Sequence, residues 1–305
     1  MKHAFLIMAY NNWHQLMTLI QCLDDNRNSI YVHIDAKSKD FDQKMFEDAH
    51  LVNKASLTFI ERKPLYWGTV SEIECEMRLM EAALAKSFDY CHLLSGQDLP
   101  IKPMNKIDEF FVKYEGWNFL EFNDKWYDLT LKNQPMCSGS YKVNYYHPLV
   151  QNVNYRKKKI IKYTDHLIAH LQKWLRMRRH TWDIYSGSQF FSVTEDFAKY
   201  VMEHGNQIRK AYSYTLASSE VFMQTTIMNS PFKDTVWSMK TEEGNLRYID
   251  WSQREGSGPK TYTMEDWNII NNLPERYLFA RKFSETRDVG IINNVVKQIL
   301  DTDAL

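Results

Sequence analysis

His92-Leu93-Leu94-Ser95-Gly96-Gln97-Asp98-Leu99-Pro100-Ile101-Lys102 is the stretch that decides how this chain folds. An apolar run stops at Ser-Gly, presents an amide and a carboxylate, and enters a turn locked by Pro100. This is how an α/β protein ends a buried strand and sets polar groups at the strand's carboxyl end, where open α/β sheets take their ligands. Tyr90 to Leu94 is then the strand itself. Before it, Val70, Ile73, Met77, Met80 and Leu84 recur at helical spacing. Leu57–Ile60 and Ile30–Ile34 read as earlier strands, and Trp13, Leu16, Ile20 and Leu23 as a helix. Ala4–Ala9 is an apolar run of the length of a buried parallel strand. Strands alternating with helices predict βαβ units: an α/β, Rossmann-like, mostly parallel sheet flanked by helices.

Carboxyl-terminal to the opening tract the pattern loosens. Residues 122–150 are rich in Asn, Tyr and Lys and lack clear periodicity. Arg156 to Arg179 holds nine Lys/Arg against the single acid Asp165, and within it Ile160, Leu167, Leu171 and Trp174 share one helical face. Two readings stand: a basic amphipathic helix resting on an anionic bilayer, or a helix packed on the sheet through Ile160, Leu167 and Leu171 with its charges in water. Gln189–Val193 reads as a strand and Glu195–Glu203 as a helix. Ser219 is placed to cap a helix beginning at Glu220. Ile292, Val295, Val296 and Ile299 define a last amphipathic helix. Without repeats, low-complexity tracts or a long linker, residues 1–305 are expected to form a single compact domain with two lobes. Residues 1–120 form a nucleotide-binding half by fold-level analogy, and residues 121–305 the other half.

A chain of 305 residues has ample core. Its 38 Lys/Arg balance 38 Asp/Glu, so no global field points to nucleic acid, and no nucleic-acid partner is expected. Aromatic residues are 14% of the chain, enough to stack on sugars and bases as well as to fill a core. Four cysteines at 22, 75, 91 and 137 show no CxxC spacing and read as reduced thiols of a cytoplasmic protein. Met1-Lys2-His3 leads straight into a strand, so no signal peptide is read. No apolar run approaches the ~20 residues that span a bilayer. The expected location is cytoplasmic, with peripheral contact on the inner face of the membrane if the basic helix lies on lipid.

Several residues carry chemistry as well as a plainer reading. In Asp35-Ala36-Lys37-Ser38, an acid after a strand can bond a ribose or base and a Lys can sit near phosphate; alternatively this is an ordinary polar loop. Trp67 could wall a donor pocket or fill core. Glu220, in the first turn of its predicted helix, would be held ionised by the dipole and able to accept a proton, although first turns favour acids anyway. Lys260, Arg281 and Lys282 could stabilise a diphosphate, or each could be a solvated charge. His166 and His170 lie four apart, but no Glu follows His166 as a zinc helix requires, so they read as a polar face. Asp40-Phe41-Asp42 spells a metal-binding DxD but lies in a charged stretch away from an apolar strand end, and reads as incidental. No P-loop, GxSxG or GxGxxG is present.

In order and wording these motifs resemble glycosyltransferase family 14, the core-2/I-branching enzymes together with the peptide O-xylosyltransferases. The resemblance rests on Val32-His33-Ile34-Asp35-Ala36-Lys37-Ser38, Trp67-Gly68-Thr69-Val70-Ser71, the opening tract, Asn118-Phe119-Leu120-Glu121 and Gly187-Ser188-Gln189-Phe190-Phe191. It continues through Ser219-Glu220-Val221-Phe222, Arg247-Tyr248-Ile249-Asp250-Trp251 and Phe279-Ala280-Arg281-Lys282-Phe283. It implies a GT-A-type fold, with a nucleotide-sugar-binding half followed by an acceptor-binding and catalytic half. It implies a UDP-sugar donor, inversion at the anomeric carbon and no metal or other cofactor. In branching members the product is β-1,6-linked N-acetylglucosamine. Glu220 matches the catalytic base. Lys282, and more loosely Lys260, match cations that replace the metal at the diphosphate, and Asp35 falls in the nucleotide motif. With Lys37, Trp67, Ser95, Gln97, Asp98 and Arg281 these make the expected donor side. Glu121 and Trp251 match acceptor positions, and Gln253 stands where branching enzymes carry an acceptor-contacting Tyr. No anchor, stem or paired cysteines of the animal members are read in these residues, and the expectation is a bacterial relative acting on a glycan or lipid-linked glycan of surface polysaccharide or lipooligosaccharide. Three other readings stay open: transfer of xylose or of a different hexose, a non-catalytic sugar-nucleotide or glycan-binding module, and a glycosidase using Asp98 and Glu220.

Overall fold

The computed structural model describes residues 1–123, 140–151, 154–155, 157–175, 182–237, 244–256 and 258–303. Cys137, Arg156, Arg176–Arg179 and Ser257, all named above, lie outside them.

The amino-terminal elements are β1 (His3–Ala9), α1 (Trp13–Cys22), β2 (Asn28–Ile34), α2 (Gln43–Asp48), β3 (Ser56–Phe59), α3 (Val70–Leu84) and β4 (Tyr90–Ser95). Each strand alternates with a helix, as the periodicity predicts. Asp42 of the DxD string caps α2 by accepting from the Lys44 N–H at 3.0 Å, and Asp40 accepts from Trp13 Nε1 at 2.9 Å. Short elements follow: β5 (Asp98–Pro100), α4 (Met104–Lys113), β6 (Phe119–Phe122), α5 (Ser140–Asn144) and α6 (Lys159–Leu175). Then come β7 (Gly187–Thr194), α7 (Glu195–Glu203), α8 (Gly205–Tyr212), α9 (Phe222–Met228), β8 (Arg247–Ile249), α10 (Trp267–Asn271), β9 (Phe279–Arg281) and α11 (Val289–Asp303).

The main sheet has six strands in the order β3-β2-β1-β4-β7-β6. Its first four are mutually parallel, and β7 and β6 add antiparallel pairs. A second sheet, in the order β5-β9-β8, holds the three short strands. Strands from both sides of residue 120 share each sheet. Alternation along β1 sends Phe5, Ile7 and Ala9 into one core, with Leu16, Ile107 and Ile291, and sends Ala4 and Leu6 into the other, with Met80, Phe197 and Phe222. The main sheet is thus covered on both faces, which is why its central strands read as unbroken apolar runs.

One gap in this sheet positions the site. β4 and β7 pair from Tyr90↔Thr194 to His92↔Ser192 and then part. The Arg247 guanidinium, fully buried, fills the fork. It donates to Leu93 O (3.0 Å), Phe191 O (2.7 Å), Ser192 Oγ (2.9 Å) and Asn245 O, and lies 5.0 Å from the Phe279 ring centroid. Burial lowers its pKa to about 9, so it remains a cation at neutral pH.

Helix α6 differs from one of its two readings. Ile160, Leu167 and Leu171 do not pack on the sheet: they are 67%, 48% and 67% exposed. His166 and His170 lie on its exposed surface, with Nε2 atoms 3.0 Å apart. Among the described residues, no helix is long and apolar enough to cross a membrane, and no cluster of three or more His, Cys, Asp or Glu could hold a metal ion. Cys22, Cys75 and Cys91 are buried free thiols.

Candidate active site

The carboxyl ends of β1, β2 and β4 form a polar rim. Ser95 pairs with Met8, and the N–H of Asp35 donates to Ala9 O at 2.9 Å. Just past β1, the Tyr10 hydroxyl donates to Gln97 Oε1 at 3.4 Å, while Ser38 Oγ donates to Tyr10 O at 2.6 Å. Asp35, Ser95 and Gln97 therefore share one edge, as the opening tract suggests. The Asp35 carboxylate is buried and accepts from the N–H groups of Lys37 (2.9 Å) and Leu65 (3.3 Å), with Lys37 Nζ at 3.3 Å. Lys37 Nζ also donates to Leu65 O and lies 4.6 Å from the Tyr66 ring centroid. Lys37 is thus folded back on its own loop.

Asp98 has a structural task. Fully buried, it accepts from the Ser95 hydroxyl and N–H, each at 2.9 Å, and from Arg281 Nη1 at 2.8 Å. Arg281 is its register partner in the second sheet, also donates to Ser95 Oγ, and stacks 4.8 Å from the Phe190 ring centroid. Asp98, Ser95 and Arg281 thus form a knot tying the end of β4 to the second sheet. This removes the two-carboxylate glycosidase reading, because a buried, ion-paired Asp98 cannot activate water.

The backbone segments carrying the candidate diphosphate residues Lys260 and Lys282 meet at the exit of the second sheet. β8 and β9 run parallel, so Asp250-Trp251 and Lys282 leave at the same end. Lys260 N donates to Asp250 O and Tyr262 N to Lys282 O, each at 2.9 Å, which lays the Lys260 segment across both exits. Lys260 Nζ donates to Asp266 at 2.6 Å, and that bond raises its pKa. Lys260, Arg254 and Arg287, with the acids Glu255, Glu265 and Asp288, line a cleft of about 720 Å³ that also takes in Gln253 but not Glu220. Trp251 is exposed, with the Arg254 guanidinium 5.3 Å from its ring centroid.

Glu220 corrects its expected setting. It does not open a helix: it closes a single 3-10 turn, Ser218–Glu220, and α9 begins only at Phe222. Ala217 precedes the turn in the left-handed region (φ 53°), and Val221 (φ −133°) separates the turn from α9, so the helix predicted from Glu220 starts two residues later. Ser219 does not cap. Its hydroxyl donates to Glu72 Oε2 at 3.1 Å. The same oxygen accepts from the Gly68 N–H at 2.8 Å, and the Ala217 N–H donates to Gly68 O at 2.8 Å. The turn carrying exposed Trp67 and the turn carrying Glu220 are therefore held together through Glu72. The Glu220 carboxylate is half-exposed, and its Oε2 lies 3.1 Å from Lys142 Nζ.

Glu121 lies on β6 and accepts from buried Asn245 at 2.9 Å. Its carbonyl takes a 3.1 Å bond from Gln224 Nε2, which also bonds Ser188 O at 2.7 Å. Gln224, in the first turn of α9, thus ties that helix to β6 and β7 beside Glu121. Gly187 is required beneath them, since a Cβ there would run into the Glu121 carbonyl.

A family model described as "Core-2/I-Branching enzyme" matches residues 3–273. The chain belongs to the core-2/I-branching enzyme family. Similar curated proteins include xylosyltransferase 2 of Canis lupus familiaris, 23% identical over 321 residues, covering 98% of this chain and 33% of that protein. Xylosyltransferase 1 of the same species is 22% identical over 316 residues, covering 96% and 30% respectively. The chain thus spans about a third of the length of these relatives. Among solved structures, apo mouse xyloside xylosyltransferase 1 aligns over 92% of this chain and 96% of its own at 9% identity, with a TM-score of 0.38.

In this branching-enzyme family member, several site residues escape a sequence reading. Glu72 follows Thr69 by three, a spacing that signals a capping box, yet its carboxylate serves Gly68 and Ser219. Gln224 and Asn245 look like ordinary polar residues. Arg247 falls in a quoted motif, but nothing in its spacing tells of burial. It also ends a buried polar line. Arg247 donates to Ser192 Oγ, which is 2.9 Å from His92 Nδ1; His92 Nε2 is 3.0 Å from His3 Nδ1, and His3 Nε2 is 3.2 Å from Asp108. With a cation at one end and a carboxylate at the other, every proton points toward Asp108 and both imidazoles are neutral. Burial agrees, lowering the His3 pKa to about 4 and that of His92 well below the ordinary value.

Proposed function

We propose that this protein is an inverting, metal-independent glycosyltransferase that moves a sugar from a UDP-sugar to a glycan hydroxyl. The observation that carries the reading is the half-exposed Glu220 carboxylate, pinned by Ser219 and Glu72 to the Trp67 turn beside the strand-end rim. Family membership supplies the chemistry. Glu220 takes the acceptor hydroxyl's proton, and the oxygen attacks the anomeric carbon through an oxocarbenium-like state while UDP departs from the opposite face. Charge growing on the diphosphate is met by Lys282 with Lys260 and Arg281. Asp35, Lys37 and Trp67 hold the nucleotide, with Ser95, Gln97 and Asp98 shaping the rim, and Glu121, Trp251 and Gln253 receive the acceptor. The donor we favour is UDP-N-acetylglucosamine, with β-1,6 transfer in bacterial surface-glycan synthesis. UDP-xylose is the second reading, because the curated relatives are named xylosyltransferases.

The test is UDP release from a panel of UDP-sugars, with and without EDTA. Release with an acceptor, unaffected by EDTA and reduced about 10²–10⁴-fold in Glu220→Gln, is expected. Normal turnover by Glu220→Gln would remove the base, loss of activity in EDTA restored by manganese would remove the metal-free mechanism, and nucleotide binding without release would leave a binding module.

A further inference from the structure

Helix α6 is mounted in reverse. Its inward face carries, beside buried Ala169, two buried polar side chains: Asp165 accepts from His147 Nδ1 (2.7 Å), Leu149 N (3.2 Å) and the Tyr155 hydroxyl (3.2 Å). Buried Gln172 bonds both the N–H (2.8 Å) and the carbonyl (2.7 Å) of Tyr146. Its outward face is apolar. Ile160, Tyr163, Leu167, Leu171 and Leu175 form one stripe, at helical spacings of three and four, with Tyr163 and Leu175 63% and 65% exposed, like their neighbours. Exposed Lys157, Lys158, Lys159 and Lys162 gather at its amino-terminal end.

We propose that α6 is a docking surface for an anionic lipid bilayer. A bilayer interface accepts both halves of this pattern, burying the stripe below the headgroups while the lysines meet lipid phosphate. The stripe of a second copy would offer these lysines no acidic partner, because the single acid of α6, Asp165, is buried. The surface is also coupled to the candidate base. Tyr146 and His147, gripped by α6, follow Lys142 by four and five residues, and Lys142 touches Glu220. A seated helix therefore links lipid contact to the segment that carries Lys142, and the acceptor would be a lipid-linked glycan; this last clause rests on the transferase reading.

The experiment is co-sedimentation of the full chain with phosphatidylglycerol/phosphatidylcholine vesicles and with phosphatidylcholine alone. Binding to the anionic vesicles only is expected, weakening in high salt, where charge is screened. Leu167→Gln/Leu171→Gln should abolish it, and each Lys→Gln change at 157, 158, 159 or 162 should lower it about fivefold. Matching melting curves establish that the variants are folded. Failure of the wild type to bind anionic vesicles overturns the proposal, as does unchanged binding by the double leucine variant. So would a lipid-free dimer in sedimentation velocity that the leucine variant splits, which would assign the stripe to a second copy. UDP release is scored separately, with lipid-linked and water-soluble glycan acceptors: its absence with both beside intact vesicle binding would refute the transferase reading and leave the docking surface standing.

Discussion

Glu76 shows how one side chain can bear on both stability and site. It lies one turn after Glu72 on α3, fully buried, and accepts from Gln189 Nε2 at 2.7 Å. Burial raises its pKa well above the ordinary 4.5, so the folded protein keeps the proton over a range in which the unfolded chain has lost it. Across that window the native state binds more protons, and stability falls as pH rises from about 4.5 toward the folded value. Glu76→Gln keeps the Gln189 contact and removes the titration. The variant should gain on wild type between pH 5 and pH 8, by about 1.4 kcal/mol for each unit of displacement. Urea midpoints at the two pH values would show it, and a constant difference would refute it. At this scale the sequence was only partly legible. Glu220 could be singled out as an acid beside Ser219, but its turn could not, because Ala217 enters the left-handed region without a glycine to announce it. Asp98 could be located but not its partner, since the ion pair with Arg281 depends on two strands 183 residues apart.

Among the elements, the fork between β4 and β7 shapes the molecule most. Once the strands part, Leu93 and Phe191 carbonyls lose sheet partners in a buried setting, where each unpaired group costs roughly 1–3 kcal/mol. Arg247 satisfies both. Arg247→Met should therefore lower unfolding free energy by about 3 kcal/mol or more in urea titration, despite gaining apolar packing. An unchanged midpoint would mean that the carbonyls find other partners. The long periodic elements were readable: the helix over Glu195–Glu203 and the strands around Tyr90–Leu94 appear within a residue or so of the reading. β5, β8 and β9 were not, because three residues carry no period, and Arg247 looks like an outward polar residue until the second sheet folds it inward.

For the whole molecule, alternation of strands and helices predicted the layered α/β class, and the fold agrees. The antiparallel β7-β6 edge was hidden, because strand direction is set by how the chain returns rather than by any residue within it. The outward stripe of α6 was hidden for a related reason: apolar periodicity marks a face but not whether that face meets core or lipid. The donor-binding role proposed for the rim has a consequence for the folded state as a whole. A ligand that binds only the native protein stabilises it by mass action, about 2.7 kcal/mol at a hundredfold excess over its dissociation constant. UDP should raise the melting temperature, and the rise should persist in EDTA if the lysines alone meet the diphosphate. A rise that needs manganese would contradict the charge arrangement proposed here.

One carboxylate oxygen, Glu72 Oε2, receives both the Gly68 amide and the Ser219 hydroxyl. Neither loop can be displaced without stretching a bond to the same atom. The segments bearing Trp67 and Glu220 therefore behave as a single lever with a common pivot rather than as two separate flaps.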